Sequence, residues 1–326
     1  MSKIDFTGQV VVVTGAGGGL GSAFCKEFAR RGAAVVANDL GGTTTGEGTS
    51  PDYANRVVGE IRATGGKAIA NYDSVATEAG GEAVIAAALD AFGRVDAVVA
   101  NAGNQRNGRF GELTADDIEA VYAVHVKGTF FVTQPAYRAM TAQGYGRILL
   151  VSSQSGIFGN PIRANYGSAK TAMIGLMNVI AQEAPAGIAV NCLFPNARGG
   201  RLGGQPGDVR PDVDFLAAAG ERTRHYVDGM DPSFVAALAC YMASRACDTS
   251  QNMYSVLGGK YSRIFTGLTE GWYHPGSVAP SAEDIVAHLA EIDDRSRYAI
   301  PRSGLEEMDT VLAAQRRLAD PGTGQG

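Results

Sequence analysis

The segment QVVVVTGAGGGLGSAFCKEFARRGAAVVAND, residues 9–39, decides the fold of this chain. In it, a run of valines, a turn dense in glycine, an amphipathic stretch of helical length and a second apolar run follow one another without a break. Nearly continuous apolar runs are typical of parallel strands that are buried on both faces of a sheet. The segment therefore predicts the first βαβ unit of an α/β domain.

Apolar runs of the same kind recur up to about Gly259, separated by helix-length amphipathic stretches. This repeated βα order predicts a Rossmann-type doubly wound parallel sheet with helices on both faces. We expect seven strands, at residues 9–14, 33–39, 68–73, 96–101, 147–153, 188–194 and 252–257. The remainder is irregular through Pro275 and then helical in pattern. We predict a catalytic domain at 1–260 and an extension at 261–326 that covers the substrate or contacts another subunit, with disordered last residues.

Composition excludes several classes of protein. Apolar residues make up 45% of the 326 and charged residues 19%, with a formal net charge of −5. This mildly acidic balance disfavours nucleic-acid binding, which needs a basic surface. Four cysteines without a CxxC pair predict neither a metal site nor disulfides. The sequence shows no signal-peptide pattern, membrane-length apolar run or peroxisomal SKL-type ending, so we expect no membrane partner and a cytoplasmic location.

The glycine-rich turn TGAGGGLG, residues 14–21, lies between the first strand and the first helix. Glycines here let the backbone turn tightly, approach a pyrophosphate closely and direct free N–H groups toward it. The position at the first βα turn favours a dinucleotide site over ordinary turn glycines. The predicted cofactor residues of this turn are Gly15, Gly17, Gly19, Leu20 and Gly21.

Residues at the ends of the next three strands are expected to complete the nucleotide site. Asp39 follows the glycine turn at the distance of an acid that binds the adenosine ribose, and its charge would repel a 2′-phosphate. This favours NAD over NADP, although Asp39 could instead simply begin a turn. Further cofactor contacts are predicted for Asp73, Ser74, Asn101, Ala102 and Gly103.

A second group of residues points to proton-transfer chemistry. Tyr166 and Lys170 are four residues apart in YGSAK, so they share one face of a helix. A neighbouring ammonium favours the phenolate, which would let Tyr166 exchange a proton with an alcohol. Ser153, at the end of the fifth predicted strand, could bind the same substrate oxygen. In another context a Tyr/Lys pair would be an ordinary surface pair; after a dinucleotide fold it indicates a catalytic site.

With these motifs in this order, the chain resembles the short-chain dehydrogenase/reductase family over about residues 6–260. The resemblance rests on TGAGGGLG, the strand-end Asp39, NAG at 101–103, Ser153 and YGSAK. It implies that Ser153, Tyr166 and Lys170 form the catalytic set, with Lys170 also holding the nicotinamide ribose. Pro195 and Asn196 stand where the family has Pro-Gly after the sixth strand, and they too are predicted to bind the cofactor.

A closer resemblance concerns NDLGG at 38–42, FGRVDAVVANAG at 92–103 and YGRILLVSSQSGIFGN at 145–160. These segments are similar to the dehydrogenase unit of peroxisomal multifunctional enzyme type 2, also called 17β-hydroxysteroid dehydrogenase type 4, and to single-domain bacterial relatives. The resemblance implies a lipid-like alcohol or ketone as substrate, either a 3-hydroxyacyl-CoA or a 17β-type hydroxysteroid. His125 replaces the usual family asparagine, and it is either part of a proton relay or a packing residue.

Five arginines predict a basic mouth for an anionic substrate. They follow NAG (Arg106, Arg109), precede the tyrosine (Arg163) or lie in the loop after Pro195 (Arg198, Arg201). Arg163, Arg198 and Arg201 are the predicted substrate residues. The alternative is that all five arginines are solvated loop charges that pair with nearby acids such as Glu112 and Asp208.

An apolar face formed by Met173, Leu176, Met177 and Ile180 predicts a homodimer or homotetramer. The alternative is that a helix of the extension covers this face. Two other functions stay open at this point: an NADP-dependent ketoreductase, and a non-catalytic protein that senses NAD.

Overall fold

A computed structural model describes residues 3–197 and 221–319 of the chain. Arg198 and Arg201, two of the predicted substrate residues, lie outside the described residues. So do the last seven residues, for which disorder was predicted.

The main sheet contains eight strands in the order β3-β2-β1-β4-β5-β6-β7-β8. Adjacent strands from β3 to β7 pair in parallel. The strands are β1 Val10–Thr14, β2 Ala34–Asn38, β3 Lys67–Asn71, β4 Ala97–Ala100, β5 Gly146–Val151, β6 Ile188–Pro195, β7 Met253–Leu257 and β8 Lys260–Ile264. The strand order reverses between β1 and β4, and this is the edge at which doubly wound folds bind their ligands. The predicted Rossmann-type α/β fold is confirmed.

The helices form two packed groups. One group brings α1 against α2 and α7, and the other brings α3 against α5 and α4 against α6. Their bounds are α1 Gly19–Arg30, α2 Asp52–Ala63, α3 Glu78–Phe92, α4 Ala115–Tyr122, α5 Gly128–Gln143, α6 Ala164–Glu183 and α7 Pro232–Ala243. The apolar faces of the first group and of the sheet share one buried core that includes Phe6, Phe24 and Phe28.

The prediction of seven strands was wrong by one. β8 follows β7 after only Gly258 and Gly259, which both have positive φ, so the two strands form a tight hairpin. The sequence of β8, KYSRI, is polar and partly exposed, as befits the edge of a sheet. The strands were predicted from continuous apolar runs, which mark buried strands, so the polar β8 was not predicted. Strand ends differ from the predicted ones by at most two residues.

The chain divides into two compact units, Met1–Arg263 and Ile264–Gly326. In the second unit, β9 Leu268–Thr269 pairs antiparallel with β10 Tyr298–Ala299. This unit also contains α8 Ala282–Ala287, α9 Leu289–Ile292 and α10 Gly304–Ala319. Its one tryptophan, Trp272, stacks on His288 with 4.0 Å between ring centroids. Within the described part of the chain, no helix is both long and apolar enough to span a membrane.

Candidate active site

A cavity of about 450 Å³ opens at the carboxyl ends of β1 to β6. The segment that follows each of these strands contributes lining residues. Parallel strands end at the same edge, so segments far apart in sequence meet there. The predicted residues that line the cavity are Gly15, Gly19, Leu20, Gly21, Asp39, Asp73, Ser74, Asn101, Ala102, Gly103, His125, Ser153, Arg163, Tyr166, Lys170, Pro195 and Asn196.

The turn after β1 is packed so closely that residues with a β-carbon do not fit at Gly15 and Gly21. Gly15 has φ +67°, and a β-carbon on it would lie 2.8 Å from the Cα of Ala102. A β-carbon on Gly21 would lie 2.1 Å from the carbonyl oxygen of Gly15. The turn thus packs closely against α1 and against the end of β4, which leaves an open backbone cradle facing the cavity.

The N-terminus of α1 is open toward this cradle. Its N-cap is Gly18, which has no side-chain cap, and the first helical turn contains no acidic residue. Uncapped N–H groups and the positive end of the helix dipole favour a bound anion. The cradle that a β-carbon would fill and the uncapped helix end together fit the pyrophosphate of a dinucleotide.

Asp39 is buried at the end of β2, with 5% of its surface exposed. Its Oδ2 accepts the backbone N–H of Gly17 at 2.8 Å, and its Oδ1 accepts that of Gly41 at 2.7 Å. All the predicted cofactor residues lie in the described part of the chain, and Gly17 is the one among them that does not line the cavity. Its N–H donates to Asp39 instead. Asp39 therefore fixes the glycine turn in addition to facing the cavity.

Hydrogen bonds join the end of β1 to that of β4 and the end of β2 to that of β3. Thr14 Oγ1 accepts the N–H groups of Asn101 and Ala102, both at 3.0 Å, and Asn101 Nδ2 donates to the Thr14 carbonyl at 2.9 Å. Asn38 Nδ2 donates to the Asp73 carbonyl at 2.9 Å. The NAG turn is thus a rigid wall of the cavity.

The three predicted catalytic residues meet at one end of the cavity. Tyr166 and Lys170 lie in α6 and are 8% and 5% exposed, and Ser153 comes two residues after the end of β5. Lys170 Nζ donates to the Val151 carbonyl at 2.7 Å and lies 5.8 Å from the centre of the Tyr166 ring. The Ser153 hydroxyl lies near enough to the Tyr166 side chain to lower the pKa of its phenol. The constellation comes from two segments that only the fold brings together.

Burial dominates the protonation of this pair. It raises the pKa of Tyr166, and this is opposed by hydrogen bonding to Ser153, by the charge of Arg163 and by hydrogen bonding to Gln105. Burial also lowers the pKa of Lys170 to about 8. The sequence predicted that a neighbouring ammonium favours the phenolate. In the structure, the cation whose charge lowers the pKa of Tyr166 is the Arg163 guanidinium, whereas the Lys170 ammonium donates to the Val151 carbonyl.

His125 lies beneath the tyrosine in a short π-helical turn, Ala123–Lys127, which connects α4 to α5. Its ring meets that of Tyr166 edge-on, with 5.2 Å between centroids. Its Nε2 is 2.8 Å from the carbonyl oxygen of Asn104 and 3.1 Å from the backbone nitrogen of the same residue. Its Nδ1 is buried without a hydrogen-bond partner in the described structure. Desolvation lowers the pKa of His125 to about 3, so the ring is neutral.

The sequence reasoning missed the role of the glycine-rich insert that follows Asp39. Five residues of residues 40–46 line the cavity: Leu40, Gly42, Thr43, Thr44 and Gly46. The Thr44 carbonyl accepts the N–H of Gln105 at 2.9 Å, and Gln105 also lines the cavity beside Tyr166. No local motif marks Gln105, although its place two residues after NAG puts it at the same strand edge.

The five arginines are not equivalent. Arg163 lines the cavity, but Arg106 and Arg109 do not. The guanidinium of Arg106 is 3.7 Å from the Glu47 carboxylate and 3.8 Å from that of Asp117. The expected basic mouth is therefore reduced to Arg163 in the described part of the chain, because Arg106 is neutralised by acids.

Residues 9–199 match the family model described as short chain dehydrogenase. The chain belongs to the short-chain dehydrogenase family, a class of oxidoreductases. Its Rossmann fold implies a nicotinamide nucleotide as cofactor and a small molecule as substrate.

Individual relatives narrow the resemblance. A short-chain type dehydrogenase/reductase of Mycobacterium tuberculosis is 40% identical over 289 residues, which cover 88% of this chain and 95% of the relative. The peroxisomal multifunctional enzyme type 2 of Mus musculus is 42% identical over 264 residues, covering 81% of this chain and 33% of that enzyme. The solved full-length peroxisomal multifunctional enzyme type 2 of Drosophila melanogaster has a TM-score of 0.76 at 29% identity, covering 97% of this chain and 51% of that one. The predicted similarity to the dehydrogenase unit of this enzyme is confirmed, and the chain spans about a third of the mouse enzyme and about half of the fly enzyme.

Proposed function

We propose that this protein is an NAD-dependent dehydrogenase that oxidises a secondary alcohol, with Tyr166 as catalytic acid/base. The observation that carries the proposal is the placement of the buried Ser153–Tyr166–Lys170 set in the same cavity as the uncapped glycine cradle of α1. A nucleotide held at the cradle would share this cavity with Tyr166, and Asn101 to Gly103 and Pro195, which also line it, would help to hold the nucleotide.

The bound nicotinamide supplies the hydride acceptor, and the residues of this chain handle the proton. Ser153 donates a hydrogen bond to the substrate oxygen and so fixes the alcohol next to Tyr166. Tyr166 takes the hydroxyl proton as the carbon is oxidised, and returns it in the reverse direction. Lys170 holds the nicotinamide ribose, in exchange for or in addition to the Val151 carbonyl that it now contacts.

His125 acts in this scheme as a positioning residue. Its neutral ring supports the face of Tyr166 at 5.2 Å, and its contact with Asn104 holds the segment that leads to Gln105. A β-carbon at Gly103 would lie 2.5 Å from the His125 ring, so the NAG turn and the histidine fit only together. The buried Nδ1 without a partner is suited to bind the water of a proton relay.

We infer that NAD is preferred over NADP. Asp39 is a buried carboxylate at the ribose end of the cradle, and both of its oxygens are held by backbone N–H groups. It cannot turn away to admit a 2′-phosphate without releasing Gly17 and Gly41. Repulsion and rigidity therefore both act against NADP.

The resemblance to the dehydrogenase unit of the multifunctional enzyme favours a 3-hydroxyacyl-CoA as substrate, with a 17β-type hydroxysteroid as the second candidate. Because the chain covers only part of the peroxisomal relatives, their whole activity does not transfer to it. The expected cytoplasmic location stays a prediction; the four buried free cysteines are consistent with a reducing compartment.

We also infer a homodimer or homotetramer. Met173 and Met177 of α6 are buried within the subunit, which accounts for half of the predicted apolar face. Leu176 and Ile180 stay partly exposed, and Val179 beside them is 53% exposed. Light scattering at micromolar concentration tests this inference, and a monomeric mass contradicts it.

The experiment that tests the proposed function is steady-state kinetics with NAD and with NADP on (3R)-3-hydroxybutyryl-CoA and on a 17β-hydroxysteroid. We expect NADH formation, with the higher kcat/KM for NAD and for the acyl substrate. Tight NAD binding without oxidation of any secondary alcohol would instead support an NAD-sensing protein. A higher kcat/KM for NADP than for NAD would support the NADP-dependent ketoreductase, and equal values would contradict the preference for NAD.

A further inference from the structure

Two polar side chains flank the Tyr166 hydroxyl without a part in the proposed proton transfer. The Gln105 side chain and the positive charge of Arg163 both act on the Tyr166 hydroxyl and lower its pKa against the effect of burial. Both residues line the cavity that also contains Tyr166 and Ser153. Because the reacting carbon must lie at Tyr166, whatever these two groups bind must be attached close to that carbon.

The backbone holds Arg163 in place under strain. Ile162, directly before it, has φ +62°, a conformation that is a genuine outlier for a β-branched residue. The Ile162 carbonyl accepts the N–H of Gly108 at 3.0 Å, and Gly108 and Arg163 form a parallel β-bridge. This strained turn, directly before α6 begins at Ala164, keeps the arginine next to the cavity. Strain of this kind is typical of sites whose geometry serves a ligand.

The charge of Arg163 has no counterion in the described structure, in contrast to that of Arg106. Arg106 lies between Glu47 and Asp117, whereas no carboxylate among residues 3–197 and 221–319 pairs with Arg163. A guanidinium that lines a cavity and forms no ion pair with a described carboxylate can donate its hydrogen bonds to an oxygen of a ligand.

Gln105 is fixed to the same wall of the cavity. Its backbone N–H donates to Thr44 at 2.9 Å, and the carbonyl of the next residue accepts the Asn165 amide at 2.9 Å. Asn165 directly precedes Tyr166 in α6, so the segment of Gln105 and the start of that helix form one unit. The Gln105 and Arg163 side chains thus converge from two segments that are bonded to each other.

We propose that Gln105 and Arg163 form a head-group subsite, which binds an oxygen on the acyl carbon of the substrate, two bonds away from the carbon that is oxidised. This deepens the proposed function and rests on it. The oxygen belongs either to the thioester carbonyl of a 3-hydroxyacyl thioester or to the carboxylate of a free 3-hydroxy acid. The phosphates of CoA are not the ligand, because the long pantetheine arm separates them from the reacting carbon.

The subsite makes a 1,3-oxygenated compound the preferred substrate class. An alcohol without the second oxygen, such as 2-butanol or a 17β-hydroxysteroid, leaves the guanidinium and the amide without a ligand. A site built to hydrogen-bond such an oxygen discriminates strongly against the analogue that lacks it.

The test compares (3R)-3-hydroxybutyrate, its N-acetylcysteamine thioester and 2-butanol in Arg163→Gln and Gln105→Leu. Arg138→Gln and Gln134→Leu make the same chemical changes at exposed positions of α5 and serve as controls. We expect each subsite variant to lower the preference for the oxygenated substrates over 2-butanol, measured as a ratio of kcat/KM, at least tenfold. The controls should leave this ratio unchanged. In the unmutated enzyme, the better of the two oxygenated substrates identifies the source of the oxygen.

A uniform loss of activity in the variants would overturn the proposal. Variants that lower kcat/KM for all three substrates alike would mean that the two residues act only through Tyr166. Arg163→Lys keeps the positive charge, so it should retain part of the preference for the oxygenated substrates over 2-butanol that Arg163→Gln loses. If Arg163 had only a structural role, the charge of the lysine would not restore this preference.

A binding measurement separates the subsite from the proposed reaction. Acetoacetate and 2-butanone are titrated into the enzyme–NADH complex and followed by NADH fluorescence. We expect acetoacetate to bind at least tenfold more tightly to the unmutated protein than to Arg163→Gln, with little difference for 2-butanone. Equal affinities of the unmutated protein and of Arg163→Gln for acetoacetate would contradict the subsite even if the enzyme oxidises alcohols. Conversely, the expected difference without any alcohol oxidation would leave the subsite standing while the proposed dehydrogenase fails.

Discussion

The nucleotide half of the cavity is built from backbone, whereas its chemical half is built from side chains. At the ends of β1 and β2, the shape comes from glycines that leave no room for a β-carbon and from one carboxylate that binds backbone N–H groups. At the ends of β4 and β5, it comes from the Ser153, Tyr166 and His125 side chains, which meet over long sequence separations. Damage to the first half should therefore abolish binding, and damage to the second should abolish chemistry.

The largest effect is expected for Tyr166→Phe, which removes only the hydroxyl from the chemical half. We expect kcat to fall by about 10²–10⁴-fold, because general acid–base catalysis contributes that much. NADH affinity, measured by fluorescence titration, should change little, since the ring that packs on His125 remains. Substantial residual turnover would remove Tyr166 from the mechanism.

The contrast between the two halves also explains which features could be predicted from the sequence and which could not. The alternation of apolar runs and the glycine turn are local patterns, so the fold, the cradle and Asp39 were predictable. The Tyr166/Lys170 pair was predictable because one helix carries both. Gln105 was missed because its place in the cavity depends on a hydrogen bond with Thr44, which is far away in the sequence. The alternative that the loop arginines pair with acids holds for Arg106, but its particular partners, Glu47 and Asp117, were not predicted, for the same reason.

Gly21→Ala should break the nucleotide half. The new β-carbon would meet the Gly15 carbonyl at 2.1 Å, so the turn must open. We expect NAD affinity to fall at least about tenfold, a loss of 1.4 kcal/mol or more, as measured by calorimetric titration. Gly175→Ala in α6 is the matched control, because a β-carbon there meets nothing within 4 Å. It should keep NAD affinity and stabilise the protein by about 0.5–1 kcal/mol. Equal NAD affinities in the two variants would contradict the cradle.

His125 gives the chemical half a distinct pH dependence. Its pKa is about 3 in the folded protein and near the ordinary 6.5 when unfolded, so only the unfolded chain gains its proton between these values. This contribution to stability is therefore present above pH 6.5 and is lost as the pH falls toward 3. The loss should reach about 2 kcal/mol at pH 5.

Urea unfolding at pH 7.5 and pH 5 checks this expectation. His125→Asn removes the titrating ring, so its free energy of unfolding should fall less between the two pH values than that of the unmutated protein. An identical pH dependence in both proteins would mean that His125 is not held neutral by burial.

The smallest effect is expected for Asp39→Asn. Asparagine keeps one acceptor oxygen for the two backbone N–H groups but removes the charge. The preference for NAD over NADP, as a ratio of kcat/KM, should narrow by about tenfold, which corresponds to 1.4 kcal/mol. If the ratio does not move, the backbone shape and not the carboxylate selects the cofactor.

One measurement tests the central claim, that both halves serve a single hydride transfer from the substrate. The unmutated enzyme is given NAD and (3R)-3-hydroxybutyryl-CoA that carries deuterium on carbon 3, and the NADH formed is analysed by mass spectrometry. We predict one deuterium in each NADH and a lower kcat/KM than for the unlabelled substrate. NAD binding without any transfer of deuterium, from this substrate or from a labelled 17β-hydroxysteroid, would contradict the account.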